Sequence, residues 1–149
     1  MTEKNLDRKI LECLNKNGRD SIRDVASKLE VSPTTVSKHL ENMFEKGIIK
    51  YFKPVLDYEK LGLELTAITR IQAKGSEISN IVDELVKEER ITHVYEITGD
   101  FDILAIGKFR NRQSMNDQIK HLLNDPAVEG TNTIMVLNAA KEEENASLE

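Results

Sequence analysis

Cysteine is almost absent from this sequence. Cys13 stands alone, so no disulfide can close within the chain and no zinc cluster can be built, which suits a reducing cytosol. The three histidines fall at no metal-ligand spacing, and no metal site is expected. No apolar run approaches the ~20 residues needed to cross a bilayer. The opening stretch Met1 to Lys9 has no apolar signal core, so a cytoplasmic protein with no membrane partner is expected. Gly62, Gly75 and Gly107 make no phosphate-cradling loop. No carboxylate pair stands in an acid–base setting, and Glu88–Glu89 and Glu142 to Glu144 read as solvated charge. The chain therefore reads as a non-enzyme without catalytic residues or a tightly held cofactor.

What the sequence does hold is a folded chain with an uneven charge. Its 149 residues are 39% hydrophobic and 32% charged, with a net charge of -5. That composition fits one or two small globular domains and argues against disorder. Residues 1–60 carry 12 Lys and Arg against 10 Asp and Glu, a net of +2. The remaining residues carry 9 against 16, a net of -7. Such a split points to two domains with different partners, the cationic one suited to a polyanion. The turn-like stretch from Lys53–Pro54 to Leu61–Gly62 marks the boundary. The expected layout is a DNA-binding domain over 1–53, a linker over 54–62, a second domain over 63–140 and an acidic tail over 141–149.

The first domain reads as three helices and a wing. Leu6, Ile10, Cys13 and Leu14 share one helical face, and Asn17–Gly18 stops that helix. Ser21 and Asp24 resemble a capping box opening a helix with Ile22, Val25, Ala26 and Leu29 on its stripe. After a turn at Glu30–Val31, Ser32–Pro33 supplies an N-cap serine with proline at the first helical position. The third helix is expected to bury Val36, Leu40, Met43 and Phe44 and to end at Gly47. Two short helices joined by so tight a turn make a helix-turn-helix. Ile48 to Lys53 has strand composition and would form the wing.

Burying that stripe leaves Ser32, Thr34, Thr35, Ser37, Lys38 and His39 outward around the start of the third helix. Hydroxyls, a cation and an imidazole suit phosphate oxygens and base edges in a major groove. Lys50 and Lys53 add cations on the wing. A polar helix face by itself is most often only solvated. Joined to a capped tri-helix and a basic wing, it points to double-stranded DNA.

The second domain contains a doubled unit. Leu65 to Ile71 alternates as a strand, and Ser76 is read as capping a helix with Ile78, Ile81, Val82, Leu85 and Val86 on one face. Strands follow at Val94 to Thr98 and Ile103 to Phe109. A helix then carries Met115, Ile119, Leu122 and Leu123, and Gly130 precedes a last strand ending near Leu137. This is the split βαβ arrangement, an α+β ferredoxin-like βαββαβ sandwich with both helices on one sheet face. Leu104 and Ile106 oppose Ile103, Ala105 and Phe109, so both faces are partly apolar and only one is covered. A second copy is the economical cover, which predicts a homodimer. At Thr98–Gly99–Asp100–Phe101–Asp102 a type II′ hairpin is expected, with Gly99 at positive φ. It is either just a turn, or a small-ligand site whose amides receive a carboxylate and whose aspartate accepts an ammonium group.

The motifs together resemble the Lrp/AsnC, or feast/famine, transcriptional regulators, over about Leu6 to Leu137. The resemblance rests on Leu6–Asp7–Arg8–Lys9–Ile10–Leu11, on Ser32–Pro33–Thr34–Thr35–Val36, on Leu40–Glu41 with Gly47–Ile48–Ile49, on Thr98 to Asp102, and on Asp125 to Glu129 with Thr131 and Thr133. It implies a winged helix-turn-helix joined to an αβ sandwich that dimerises and often assembles to octamers. It also implies amino-acid effectors bound between dimers near the hairpin, at positions matching Thr98, Gly99, Asp100 and Asp102, and Phe101 of the same hairpin is expected at the site with them. Tyr95 and Thr133 are expected to line the effector's side-chain pocket. Lys38–His39 stands where arginine is common, so the operator sequence does not carry over. Two other readings remain open: a chromatin-like DNA binder without an effector, and an enzyme on the same architecture.

Overall fold

Local signals for starting and stopping helices account for most of the first half. The computed structural model describes residues 3–143 and 145–148. It divides into two units, Met1–Val55 with Lys141–Glu149, and Leu56–Ala140. The first unit contains α1 (Glu3–Lys16), α2 (Ile22–Leu29) and α3 (Pro33–Glu45). The Ser21 hydroxyl accepts from the Asp24 amide at 3.2 Å, and the Asp24 carboxylate accepts from the Ser21 amide at 2.9 Å. Two of the donors orphaned at the start of α2 are thereby satisfied. The Ser21 hydroxyl also donates to the Asp24 carboxylate at 2.7 Å, and this bond, with that of the Ser21 amide, holds the Asp24 carboxyl below its usual range. Glu30 turns the chain at φ 55°, and Ser32 with Pro33 opens α3.

The three helices enclose Leu6, Ile10, Val25, Ala26, Val36 and Met43, joined by Ile49. Full burial of a large aliphatic side chain contributes about 1.5–3 kcal/mol. Two expected core residues lie outside this cluster. Ile22 is 40% exposed and Phe44 is 41% exposed; the Phe44 ring meets Phe52 edge-on at 5.8 Å.

The wing strand expected over Ile48 to Lys53 does not form. Its first amides are consumed in ending α3. Gly47, at φ 68°, donates to the Phe44 carbonyl, and the Ile48 and Ile49 amides both donate to the Met43 carbonyl at 2.9 and 3.2 Å. This closure satisfies the end of a helix. No other strand lies in the described part of this unit to continue a ladder.

The second unit runs β1 (Leu65–Ala73), α4 (Ile78–Leu85), β2 (Ile91–Glu96), β3 (Ile103–Phe109), α5 (Arg112–Leu123), β4 (Val128–Met135). The strands form one antiparallel sheet in the order β2-β3-β1-β4. Strand alternation sends Ala67, Thr69, Ile71 and Ala73 of β1 to the same side as Ile103, Ala105 and Phe109 of β3. Ile71, Ile103 and Ala105 pack with Ile81, Leu85 and Leu122 of the helices. Gly107 belongs to this side; a Cβ there would sit 2.6 Å from the Phe109 ring and 3.1 Å from Ile91.

The opposite side carries Ile68, Arg70, Leu104, Ile106 and Ile134, with Lys108 toward one end. Lys108 is only 7% exposed. Its ammonium donates to the Thr66 hydroxyl at 3.1 Å and lies 5.4 Å from the centre of the Tyr58 ring.

At three points the structure departs from the local sequence signals. Glu77, not Ser76, occupies the N-cap of α4, and no side chain caps it. The second strand begins at Ile91, three residues before Val94, because Ile91 already pairs with Gly107. Gly130 lies inside β4 opposite Gln72, beside a register shift, and does not precede the strand.

Candidate functional site

The start of α3 gathers most of the expected nucleic-acid contacts on one exposed turn. Thr34 and Lys38 are exposed. Ser32 accepts from the Thr35 amide at 3.1 Å, and the two hydroxyls share a further hydrogen bond at 2.8 Å. Ser32 and Thr35 therefore hold the helix start together, where the helix dipole favours an anion. The Ser37 hydroxyl donates to Glu41 at 3.2 Å. Lys50 is exposed, and Lys53 lies 5.9 Å from the Tyr51 ring centre, both on the irregular segment after α3.

His39 points elsewhere. Its Nδ1 meets the Asp7 carboxylate of α1 at 2.5 Å, with the two side chains only 14% and 22% exposed. The expected outward imidazole is instead a dock between α3 and α1. Asp7 was missed as its partner because the two are 32 positions apart, and no local pattern links them.

The hairpin differs in size from the expected two-residue turn. The Ile97 amide donates to the Asp102 carbonyl at 2.8 Å, which closes a four-residue connection over Thr98 to Phe101. Gly99 takes φ +116°, a conformation strained for any L side chain. Thr98, Gly99 and Asp100 are exposed. Asp102 turns inward: its Oδ2 accepts from the Ala73 amide at 2.8 Å, and its own amide donates to the Ile71 carbonyl at 3.0 Å. That carboxylate ties the loop to the end of β1 beside the register shift.

Tyr95 and Thr133 do not line one pocket within the chain. They lie on the two outer strands of the sheet. Tyr95 pairs with Leu104 on the uncovered side, whereas Thr133 pairs with Thr69 on the helix side and shares a hydroxyl hydrogen bond with it at 3.1 Å. The residue that does meet the hairpin is Arg70. Its guanidinium lies 4.6 Å from the Phe101 ring centre, and its Nη2 donates to Asn132 Oδ1 at 2.8 Å. Strand alternation already puts Arg70 on the apolar side with Ile68, an unusual place for a permanent charge. An open depression of about 370 Å³ lies at the other end of the sheet, lined by Glu64, Leu65, Arg110, Asn111, Met135, Val136 and Leu137; it includes none of the expected ligand residues.

Among the described residues no three His, Cys, Asp or Glu side chains converge as metal ligands. No helix among them is long and apolar enough to cross a membrane.

Comparison with known proteins assigns both parts. Residues 4–50 match a winged helix-turn-helix DNA-binding family, and residues 66–146 match the Lrp/AsnC ligand binding domain. An uncharacterized HTH-type transcriptional regulator of Pyrococcus horikoshii is 44% identical over 138 residues, 93% of each chain. The structure of E. coli AsnC is similar with a TM-score of 0.86 at 26% identity, over 93% of this chain and 95% of that one. A transcriptional regulator of Neisseria meningitidis, solved as an L-Met complex, shares the fold with a TM-score of 0.89 at 22% identity, over 97% and 94%.

Proposed function

The chain belongs to the Lrp/AsnC family of transcriptional regulators, and from that membership we propose that it grips specific DNA sites as an oligomer whose assembly answers to a free amino acid. The observation that carries the DNA reading is the start of α3, where a serine-capped, proline-opened helix leaves Thr34 and Lys38 exposed beside Ser37. Such a helix end suits phosphate and base edges together. Lys50 and Lys53 add phosphate contacts. Residues 1–53 act as the DNA-binding domain and 63–140 as the assembly and effector domain, joined by 54–62.

The uncovered sheet side, with Ile68, Leu104, Ile106 and Ile134, supports a homodimer, and dimers associate further, up to an octamer. The effector reading rests on the exposed Thr98–Gly99–Asp100 turn and on the L-Met complex of the Neisseria protein. Ligand that binds only the assembled form stabilises it by mass action. Assembly then sets which spaced DNA sites are held at once, so a metabolite changes promoter choice without touching α3.

One observation favours a second reading, an effector-independent DNA binder: Asp102 is already engaged by the Ala73 amide. Sedimentation of the full chain with each of the twenty amino acids separates the two readings. A shift in assembly that Asp100→Ala abolishes, with single-site DNA affinity kept, supports the effector; no shift with any amino acid leaves the hairpin a structural turn.

A further inference from the structure

We propose that Arg70 is the anchor for a carboxylate of the effector, an inference that rests on the amino-acid reading above and names a residue for it. Arg70 Nε is the only buried side-chain polar atom without a hydrogen-bond partner among the described residues. A guanidinium keeps its charge at every physiological pH. An unpaired donor of a charged group, shielded from water, is costly unless an acceptor arrives. The ion pairs Arg8–Glu12, Lys28–Asp20, His39–Asp7, Lys60–Asp57 and Lys141–Glu143 all leave Arg70 out, and no carboxylate among the described residues neutralises it.

The side chain is also held ready. Phe101 lies against the guanidinium at 4.6 Å and Asn132 fixes Nη2 at 2.8 Å. A cation stacked on a ring and hydrogen-bonded at one nitrogen has lost most of its rotamer freedom before any ligand binds. The Nε–H and one of the two N–H groups of Nη2 lie along the same edge of the guanidinium, and that edge is the fork that matches the two oxygens of a carboxylate. Its location fits the ligand loop. Arg70 pairs with Leu104, one step from the Ile71–Ile103 pair where the ladder of β1 and β3 ends, and Phe101 belongs to the hairpin. Arg70 thus stands at the hairpin margin of the uncovered side, while Ile68 and Ile106 lie further in. A carboxylate seated there leaves the exposed Asp100 to receive the ammonium group.

Two carboxylates of an amino acid share this chemistry, the α-carboxylate and an acidic side chain, and the probes tell them apart. Calorimetry on the full chain uses L-methionine, L-methioninamide and L-glutamate, against wild type, Arg70→Gln and Arg70→Lys. The expected result is a ligand with a free carboxylate that Arg70→Gln binds about ten- to a hundredfold more weakly, since hydrogen bonds to charged groups carry that weight. Arg70→Lys keeps the charge without the fork and should fall between. L-Methionine tighter than its amide assigns the α-carboxylate; L-glutamate tighter than L-methionine assigns the side chain.

Equal affinity in wild type and Arg70→Gln overturns the role of Arg70 and leaves the effector reading intact. Should Arg70→Gln not fold, wild type alone decides: L-methioninamide binding as tightly as both acids overturns it. If none of the three probes, nor any other amino acid, binds wild type, the effector reading itself fails and this inference with it.

Discussion

Replacing Asp102 by alanine separates a structural carboxylate from a ligand-binding one. Asp102 Oδ2 accepts from the Ala73 amide at 2.8 Å, and Ala73 is only 7% exposed. The substitution leaves that amide buried without an acceptor at a register shift, where no neighbouring strand supplies one. A hydrogen bond with one charged partner contributes about 1.5–3 kcal/mol. For a domain of this size, each kcal/mol moves the melting temperature by roughly 4–8 °C, so Asp102→Ala should lower it by at least about 6 °C. Asp102→Asn keeps an acceptor and should lose about half as much, because charge assistance roughly doubles such a bond. The assay is thermal and urea unfolding of the full chain at one fixed protein concentration, since assembly makes stability concentration-dependent. Asp100→Ala is the control: an exposed side chain whose loss should stay within about 0.5 kcal/mol of wild type. If Asp102→Ala also stays within that band, the carboxylate is not holding the loop, and its place in a ligand site reopens.

Three further outcomes are expected. Lys38→Ala should weaken DNA binding and reduce the slope of log affinity against log salt by about one, the signature of one lost phosphate contact; unchanged affinity in a folded variant moves the interface to another surface. Leu104→Asp or Ile106→Asp should yield monomers or insoluble protein in light scattering, because a charge on that side opposes its burial; a wild-type chain that is monomeric at micromolar concentration refutes the dimer. Asp24, held below its ordinary 3.8 by the Ser21 hydroxyl and amide, contributes stability that is complete above pH 3.8 and is lost as pH falls through its lower folded value. Ser21→Ala should flatten that acid limb of the unfolding curve, and an unchanged limb refutes the assignment.

Much of this architecture was legible where the signal is local. Ser21 with Asp24 and Ser32 with Pro33 each announce a helix within four residues, and both caps form. The alternation of Ile103 to Phe109 gave the span of β3 and its two sides. The misreadings share a different cause. Ile48 to Lys53 looks like a strand by composition, but a strand needs a partner, and the amides of Ile48 and Ile49 close α3 instead. Phe44 fits the helical stripe yet meets Phe52 outside the core. His39 reads as outward until Asp7 is brought to it by the packing of α1. The pairing of Asp102 with Ala73 spans 29 positions, and the sheet order that parts Tyr95 from Thr133 is a tertiary fact. Residue type and spacing identified the hairpin; which of its groups are already engaged depended on contacts distant in the chain.

The segment after α3 bears on how broadly this protein reads DNA. Lys50 and Lys53 stand on backbone outside any ladder. Fixing such backbone on a duplex removes about 1–2 kcal/mol of conformational freedom per residue. One exposed lysine–anion contact contributes about 0–1 kcal/mol. If Lys50 and Lys53 contact DNA as proposed, those contacts roughly cancel their own ordering and add little to net affinity. They can instead conform to grooves of different width beside a site that α3 has already selected. On that reading, flanking sequences of unlike shape become nearly equivalent, and the proposed discrimination between operators rests on the few side chains at the start of α3.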